Sequence, residues 1–460
     1  MNQDIFYLKE IVNKEKELDI YRYRVFGIPF WRIVRFIIRT RYLSLKTGFQ
    51  YNTTKKNLSF KLLLINFLVS FFQYLVLFSK RKRYENIVFA FPRLQKLGDQ
   101  YIDKFTDPIV VESKIKNNCI IFQRPLAGNH KENRINSEIA VKTDFIEVTS
   151  KILGMILFPF IGLFYFRTLI GVYKSSKEYF LLKHKHILFF ILTLSNFSFS
   201  FCFHYILFKK LKPKRIFLVD REIFFPIILA CKRLKINVYE IQHGVTHGET
   251  AVYSGKYDES IDPDFFLAFG EAWIGPQFGM PLDRIINIGW AYKDYIKGRY
   301  YNIPVTENST LVISEPHITE KIISITKELA LLHNNITFHI RLHPQESLND
   351  NHKNMLSGVD NIFIQDNTVE STLAIMSYKF LLGENSSVLY EALSFGKKVG
   401  RINYGGLLPE LVEGNVIDGF YYLNGPNDFN FFINSSINTE SKVDNLAYSD
   451  FDKDKFNSLT

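Results

Sequence analysis

Gly383-Glu384-Asn385-Ser386-Ser387-Val388-Leu389-Tyr390-Glu391-Ala392-Leu393-Ser394-Phe395-Gly396 follows directly on Tyr378-Lys379-Phe380-Leu381-Leu382. The five residues before Gly383 read as a buried strand, 383–387 as a turn, and 388–395 as the helix that the turn opens. Upstream, Ile336-Thr337-Phe338-His339-Ile340 reads as another strand, and Arg341-Leu342-His343-Pro344 leads into the loop after it. Strand, polar loop and helix in alternation are the pattern of an α/β fold with a parallel sheet. Ligands of such open sheets sit beyond the carboxyl ends of the strands, so both loops fall on the binding edge. A Ser386-Ser387 pair at a helix start offers hydroxyls and free backbone N–H groups to a phosphate. One helical turn further in, Glu391 presents a carboxylate suited to a ribose hydroxyl pair. The His343 imidazole can donate to a phosphate oxygen, or protonate it when charged.

Thr310-Leu311-Val312-Ile313-Ser314 adds a strand to this half, with Glu315-Pro316-His317 as its loop and a helix over 319–332. Ser314 and Glu315 thereby join Arg341, His343, Pro344, Ser386, Ser387 and Glu391 as nucleotide-binding candidates. No Gly-x-Gly-x-x-Gly follows the strand, which excludes a dinucleotide fingerprint. Residues 399–403 form a later strand.

A separate series of strands precedes this one. Residues 86–91, 119–122, 215–220, 237–241, 264–270 and 283–289 all read as strands. Asp220, Arg221 and Glu222 stand at the carboxyl end of one, and Gln242-His243-Gly244 at the end of the next, with His247 close by. The polar stretch 298–309 contains Pro304 and reads as the linker. The chain then divides into a membrane-proximal helical segment (1–84), a first Rossmann-like domain (85–302), a second (303–425), and a C-terminal helix or tail (426–460).

His-Pro after one strand, then Ser-Ser with a Glu-Ala-Leu-x-x-Gly-Lys helix, and Gln242-His243-Gly244 upstream, resemble the GT-B glycosyltransferases. The likeness is nearest to bacterial enzymes of capsule and other surface polysaccharides: sialyl- and Kdo-transferases and the related polyol-phosphate transferases. It covers roughly residues 85–425. It implies two Rossmann-like domains facing each other across a cleft, the second holding a nucleotide-sugar donor and the first a glycan or lipid-linked glycan acceptor. It also implies sugar transfer with no metal and no cofactor. Two alternatives share the resemblance: a CDP-polyol phosphotransferase, and a non-catalytic membrane-associated assembly protein. Many families of this fold carry a pair of Glu residues on the donor helix. Glu384 and Glu391 sit slightly closer together than that pair.

Sugar transfer needs stabilisation of the leaving phosphate and a carboxylate to manage the acceptor proton. His343, Ser386 and Ser387 suit the first task, and Asp220 and Glu222 the second. His243 is the third acceptor-side candidate, with Gln242 and Gly244 beside it. Asp103, in Tyr101-Ile102-Asp103-Lys104-Phe105-Thr106-Asp107-Pro108, is either on the cleft or the brace of an Asx turn. Glu240, inside a strand, reads as structural.

A formal net charge of +11 suits an anionic partner such as a nucleotide diphosphate, an acidic glycan or anionic lipid. Zinc spacing, RNA-binding aromatics and a helix-turn-helix are all missing, so nucleic acid is not the expected partner. Three scattered cysteines form no disulfide framework and suit a reducing cytosol. The first residues carry no secretory signal pattern. Apolar runs at 62–78, 152–166 and 187–208 are short or carry polar residues, so they read as buried or interface-lying helices. With the basic cluster Lys80-Arg81-Lys82-Arg83 they place the chain in the cytoplasm, held at the inner face of the cytoplasmic membrane. Arg32, Arg35 and Arg39 recur at helical spacing as a basic stripe, read as a solvated face or a contact to lipid or acceptor phosphate.

Overall fold

The structure is a computed structural model. It describes residues 3–460 apart from 48–58, 80–82, 127, 245–252, 254, 275–278, 301, 316–317, 345, 366–368, 405–407, 409–418 and 436–446. His247, Pro316-His317 and Lys80-Arg81-Lys82 therefore lie outside the described residues.

Two parallel sheets carry the fold. The first has seven strands: β1 (Asn86–Ala90), β2 (Cys119–Gln123), β3 (Ala140–Lys142), β4 (Arg215–Val219), β5 (Asn237–Ile241), β6 (Phe265–Ala268) and β7 (Ile285–Asn287). They lie in the order β3-β2-β1-β4-β5-β6-β7. The second has six: β8 (Thr306–Ile313), β9 (Thr337–Arg341), β10 (Ile362–Gln365), β11 (Tyr378–Gly383), β12 (Lys398–Ile402) and β13 (Phe420–Leu423). Their order is β10-β9-β8-β11-β12-β13. Each sheet reverses its winding once, between β1 and β4 and between β8 and β11, and a doubly wound sheet receives ligand at that crevice.

Strands covered on both faces must be apolar along their length, and Asn86-Ile87-Val88-Phe89-Ala90 is buried throughout. Alternate side chains part to opposite faces. Ile87, Phe89, Phe122 and Leu218 pack under helices, while Val88, Ala90, Ile121 and Val219 join a core that continues into Leu311, Ile313 and Leu381 of the second sheet.

The longer helices around the first sheet are α1 (Gln3–Glu17), α2 (Phe30–Thr47), α3 (Phe60–Ser79), α4 (Asp144–Ser176) and α5 (Lys185–Leu211). Here the structure corrects two expectations. The run at 152–166 looks short by itself, yet its helix spans 33 residues because Asp144 and the residues after it already wind helically. Of the two readings of these runs, buried or interface-lying, burial fails for α3 and α4: 22% and 17% of their most apolar windows are covered, against 33% in α5. Phe60 and Phe72 on α3, and Phe160, Leu163 and Phe164 on α4, stand exposed. All three helices are long and apolar enough to cross a membrane by length and composition.

A further correction concerns the basic stripe of α2. Arg32, Arg35 and Arg39 are buried rather than solvated. Arg32 pairs with Asp262, and Arg35 Nε with Glu15 Oε1 at 2.9 Å. Distant acids take these cations out of water, which a local sequence pattern does not reveal.

At the other end of the chain, residues 447–452 run along the ends of β6 and β7, with Ser449 N donating to Phe269 O at 2.8 Å. The helix Lys453–Leu459 then packs on the first sheet, Phe456 lying 5.5 Å from Phe217 between ring centroids.

Candidate active site in the interdomain cleft

The second sheet contributes loops after β8, β9 and β11. Gly383 ends β11 where a Cβ would press on Leu389 and on Ile313 O, at 3.1 and 3.3 Å, so the loop hugs the neighbouring strand. Ser386 caps the helix Ser387–Ser394, its Oγ accepting from Val388 N. Arg401, buried at the end of β12, fixes this loop from behind: it donates to Glu384 O, to Asn385 Oδ1 at 3.2 Å and to Tyr390 OH at 3.0 Å. Glu315 Oε1 accepts from Asn385 N at 2.7 Å, tying the β8 loop to the β11 loop. Burial pushes the Glu315 carboxyl up to about 7, with Glu384 adding to the rise and the Asn385 N–H and Arg401 opposing it.

Glu346 organises the other side of this edge. It accepts from Ser314 Oγ at 2.7 Å, from Thr319 Oγ1 and, through Oε2, from His343 N at 2.5 Å. His343 is half-buried and Pro344 exposed on the turn that Glu346 closes. Ser314, Glu315, His343, Ser386 and Ser387 therefore share one edge. Arg341 turns sideways to Gln365 Oε1 (2.9 Å) and Val369 O (2.7 Å), joining β9 to the segment after β10.

On the facing domain, Asp220 leaves β4 with φ of +68°, a left-handed conformation that Asp tolerates better than most residues. Its carboxylate accepts from Glu222 N at 3.1 Å. Burial pushes Asp220 up to about 7, with the Glu222 and Glu240 charges reinforcing the shift. A carboxylate with that pKa can take a proton near neutrality. Burial also raises Glu222, against the pull of Arg32, Arg35, Arg39 and Arg221. Glu240 lies wholly inside, accepting from Arg221 N at 2.9 Å and pairing with the Arg221 guanidinium.

Gln242 braces two strand ends, donating to Gly244 O at 2.8 Å and accepting from Phe269 N at 2.9 Å. His243 packs 5.4 Å from Phe91 and 6.2 Å from Phe105, and its Nδ1 meets Tyr253 OH at 2.9 Å. Burial, with Arg93 and Lys104 nearby, drives His243 down to about 4, so it is a neutral hydrogen-bonding group at physiological pH. Asp103 is fully buried and accepts from Phe91 N, Phe105 N and Thr106 Oγ1 at 2.8, 3.0 and 2.5 Å. That is the geometry of the turn brace, the second of its two readings.

The turn that Asp103 braces delivers a residue that sequence reading passes over. Lys104 Nζ crosses to Glu391 Oε1, and lies over the Phe105 and Trp290 rings at 5.4 and 5.9 Å. Glu391 is buried, and its Oε2 has no hydrogen-bond partner among the described residues. Burial raises its carboxyl and Lys104 opposes the rise. Lys104, Glu346 and Arg401 were all missed, since each acts on a partner far away in sequence or on its backbone. Only Tyr101-Ile102-Asp103-Lys104, a polar turn after a strand, held a hint of the first. Among the described residues no three His, Cys, Asp or Glu side chains converge as a metal site.

No protein-family model and no curated protein matches the chain in sequence. Solved structures do match in shape. UDP-GlcNAc 2-epimerase from Methanocaldococcus jannaschii aligns with a TM-score of 0.51 at 12% identity, over 82% of this chain and 98% of that one. A Listeria monocytogenes protein assigned as a UDP-N-acetylglucosamine 2-epimerase aligns with a TM-score of 0.50 at 10% identity, over 81% and 95%. CalG4, the calicheamicin glycosyltransferase, aligns with a TM-score of 0.40 at 10% identity, over 79% and 92%. At such identities the two epimerase likenesses speak for the fold. Two doubly wound domains meeting edge to edge across a cleft, with the carboxyl ends of both sheets turned inward, make this a chain of the GT-B fold.

Proposed function

We propose that the chain is a glycosyltransferase that takes a sugar from a nucleotide-activated donor and passes it to a surface-glycan or lipid-linked acceptor. It works in the cytoplasm against the inner face of the membrane. One observation carries the reading: the loops of His343 and Ser386-Ser387 line the carboxyl edge of one sheet, and the strand ends of Asp220 and His243 that of the other. The helix start after Ser386 offers N–H groups to the donor phosphate, and His343 adds a donor to the departing one. The acceptor hydroxyl gives its proton to Asp220 as its oxygen bonds to the anomeric carbon. The bond from that carbon to the phosphate oxygen breaks, and the nucleotide leaves with the electron pair. Glu391, bridged to Lys104, is the candidate for the ribose end. This scheme uses no metal and no cofactor.

The solved structures of similar shape support a second reading, isomerisation of a UDP-sugar without an acceptor. The outward apolar faces of α3 and α4 favour transfer at a membrane, because a water-soluble substrate needs no such surface. The test is thermal-shift binding of CMP, CDP, UDP and GDP, followed by product analysis with the matching sugar nucleotide. Transfer to membrane-derived acceptor supports the proposal. A sugar epimerised with no acceptor present supports the second reading. CMP as the released product selects sialic acid or Kdo as the donor sugar, and a CDP-polyol donor selects phosphotransfer. No binding of any of the four nucleotides points to a scaffold that has lost activity.

A further inference from the structure

We infer that a polar cavity beside the cleft is the seat of the acceptor's terminal sugar; the inference rests on the transferase reading above. The cavity has a volume of about 170 Å³, and its polar wall includes Arg124, Glu147, Ser150, Asn196, Ser200 and Glu222. Arg124 follows β2 and Glu222 follows β4, so the cavity lies on the carboxyl edge astride β1, where the winding of the sheet reverses. A doubly wound sheet keeps its ligands at that place. The donor-side loops belong to the other sheet and leave this crevice unused.

Two atoms in the wall point to a ligand. Ser150 Oγ, on a side chain 1% exposed, and Glu222 Oε1 have no hydrogen-bond partner among the described residues. Buried polar groups are ordinarily satisfied, and a pair left open on one cavity marks where a polar guest completes them. The guest's chemistry follows from the charges. Among the described residues two cations line the cavity: Lys151, whose side chain is exposed to solvent, and Arg124, which Glu147 holds, Nε to Oε1 at 2.7 Å, with Thr143 Oγ1 steadying the same oxygen at 2.7 Å. A cation so neutralised suits a phosphate poorly. Carboxylates, an amide and hydroxyls interleaved with Phe197 and Phe225 suit a pyranose, whose hydroxyls need both donors and acceptors and whose C–H face needs an apolar wall.

The cavity owes its shape to the packing of α4 on α5. A Cβ at Gly154 would lie 3.0 Å from Asn196 Cα, so the two backbones touch there. One turn earlier, at Ser150, the helices leave room. Beyond Lys151, α4 turns Ile152, Met155 and Ile156 outward. A lipid carrier attached to the sugar can run onto that face while the sugar fills the cavity. Asp220, the candidate base, is one hydrogen bond from the wall, through Glu222 N at 3.1 Å.

The experiment places the full chain in lipid nanodiscs and measures saturation-transfer NMR with the methyl and hexyl glycosides of glucose, galactose and N-acetylglucosamine. Nucleotide binding is recorded on the same samples. At least one methyl glycoside should receive saturation from the wild type. Ser150→Trp, which fills the cavity, should abolish the signal, and Asn196→Ala should weaken binding by about tenfold. Both variants should bind nucleotide as the wild type does. Where Ser150→Trp fails to fold, Asn196→Ala decides. Tighter binding of the hexyl glycoside, by roughly fourfold for each methylene buried, identifies a lipid-linked acceptor. Equal affinity identifies a free glycan end, and either result supports the cavity. Nucleotide binding without any glycoside signal, or a signal unchanged in both variants, overturns this inference alone. Absence of nucleotide binding overturns the transferase reading itself.

Discussion

Asp220, as the proposed base, would carry both chemistry and a stability cost. Burial, with Glu222 and Glu240 beside it, raises its carboxyl from 3.8 to about 7. A base must be deprotonated to act, so kcat/KM should climb with pH and level off above about 7. The linkage runs the other way for stability. A group whose pKa is higher in the folded than in the unfolded chain favours folding when protonated, and that advantage fades as pH rises from about 4 to about 7. Asp220→Asn should therefore abolish transfer, leave nucleotide affinity nearly intact, and stabilise the fold at pH 8 by on the order of 2 kcal/mol. Asn tolerates the positive φ, so the turn survives. Denaturant melts at pH 4 and pH 8 check the sign: a variant no more stable than wild type at pH 8 would show that the carboxylate is well solvated. Across the cleft, His343→Ala should weaken nucleotide binding and cut turnover together, by on the order of 10²–10³ in rate, as loss of a donor to the leaving phosphate does. Nucleotide titration and product formation on one preparation measure both. An unchanged affinity would move the donor site toward Ser314 and Glu315.

At the scale of elements, α1 and α2 are fastened to the first sheet by charge. Glu15 of α1 binds Arg35 of α2 at 2.9 Å and accepts from Trp31 Nε1 at 3.0 Å, all with little or no exposure. Arg32 of the same helix reaches Asp262, which also takes Arg221 at 3.1 Å. Burial lifts the Glu15 pKa, but Arg35 and Arg39 outweigh it and hold the carboxyl below its ordinary value. Its stabilising contribution is thus present above the unfolded pKa and is lost as pH falls through the folded one. Glu15→Gln should destabilise the chain by about 3–5 kcal/mol, the usual result of removing one partner of a buried pair. Urea melts at neutral pH measure it, and a loss under about 1 kcal/mol, the range of exposed pairs, would mean that water reaches the cluster. None of this was legible in the sequence. The spacing of Arg32, Arg35 and Arg39 gave a correct helix face but not its environment, since Asp262 and Glu222 lie some two hundred residues away. By contrast, the strand ends at Ser314, His343, Ser386, Asp220 and His243 could be read directly. Apolar runs of strand length, followed by polar turns, report their own geometry.

The whole molecule poses the question of how three apolar helices meet a bilayer. Their existence was legible; their outward orientation was not, because an apolar run looks the same whether it faces a core or a lipid. Both ends of α4 are tied to one folded domain. Near its start, Asp144 meets His130 Nε2 at 2.7 Å and Glu147 meets Arg124 at 2.7 Å. At its far end, Ser175 Oγ meets Tyr23 OH at 3.1 Å, on a segment that Arg24 joins to Asp258 at 2.9 Å. Along α3, Asn66 and Ser70 bond to Gly128 O (3.1 Å) and Lys142 O (2.7 Å). We therefore propose that these helices lie along a bilayer rather than cross it. Phe160 and Phe164, 69% and 80% exposed, are two of the large apolar side chains that α4 turns outward toward a lipid phase. Fully burying such a side chain is worth about 1.5–3 kcal/mol, so Phe160→Asp with Phe164→Asp should lower membrane partitioning roughly 10²- to 10⁴-fold. Because both rings are exposed, the double variant should keep its melting temperature and its nucleotide affinity. Vesicle flotation with inner-membrane lipids reads the first effect, and thermal shift reads the other two. High salt should release wild type only in part, since the apolar contribution is unscreened while the basic one is screened. A double variant that floats like wild type would exclude the α4 face as the anchor. Cleavage of α4 by a protease outside the cell would mean that the helix spans the membrane after all.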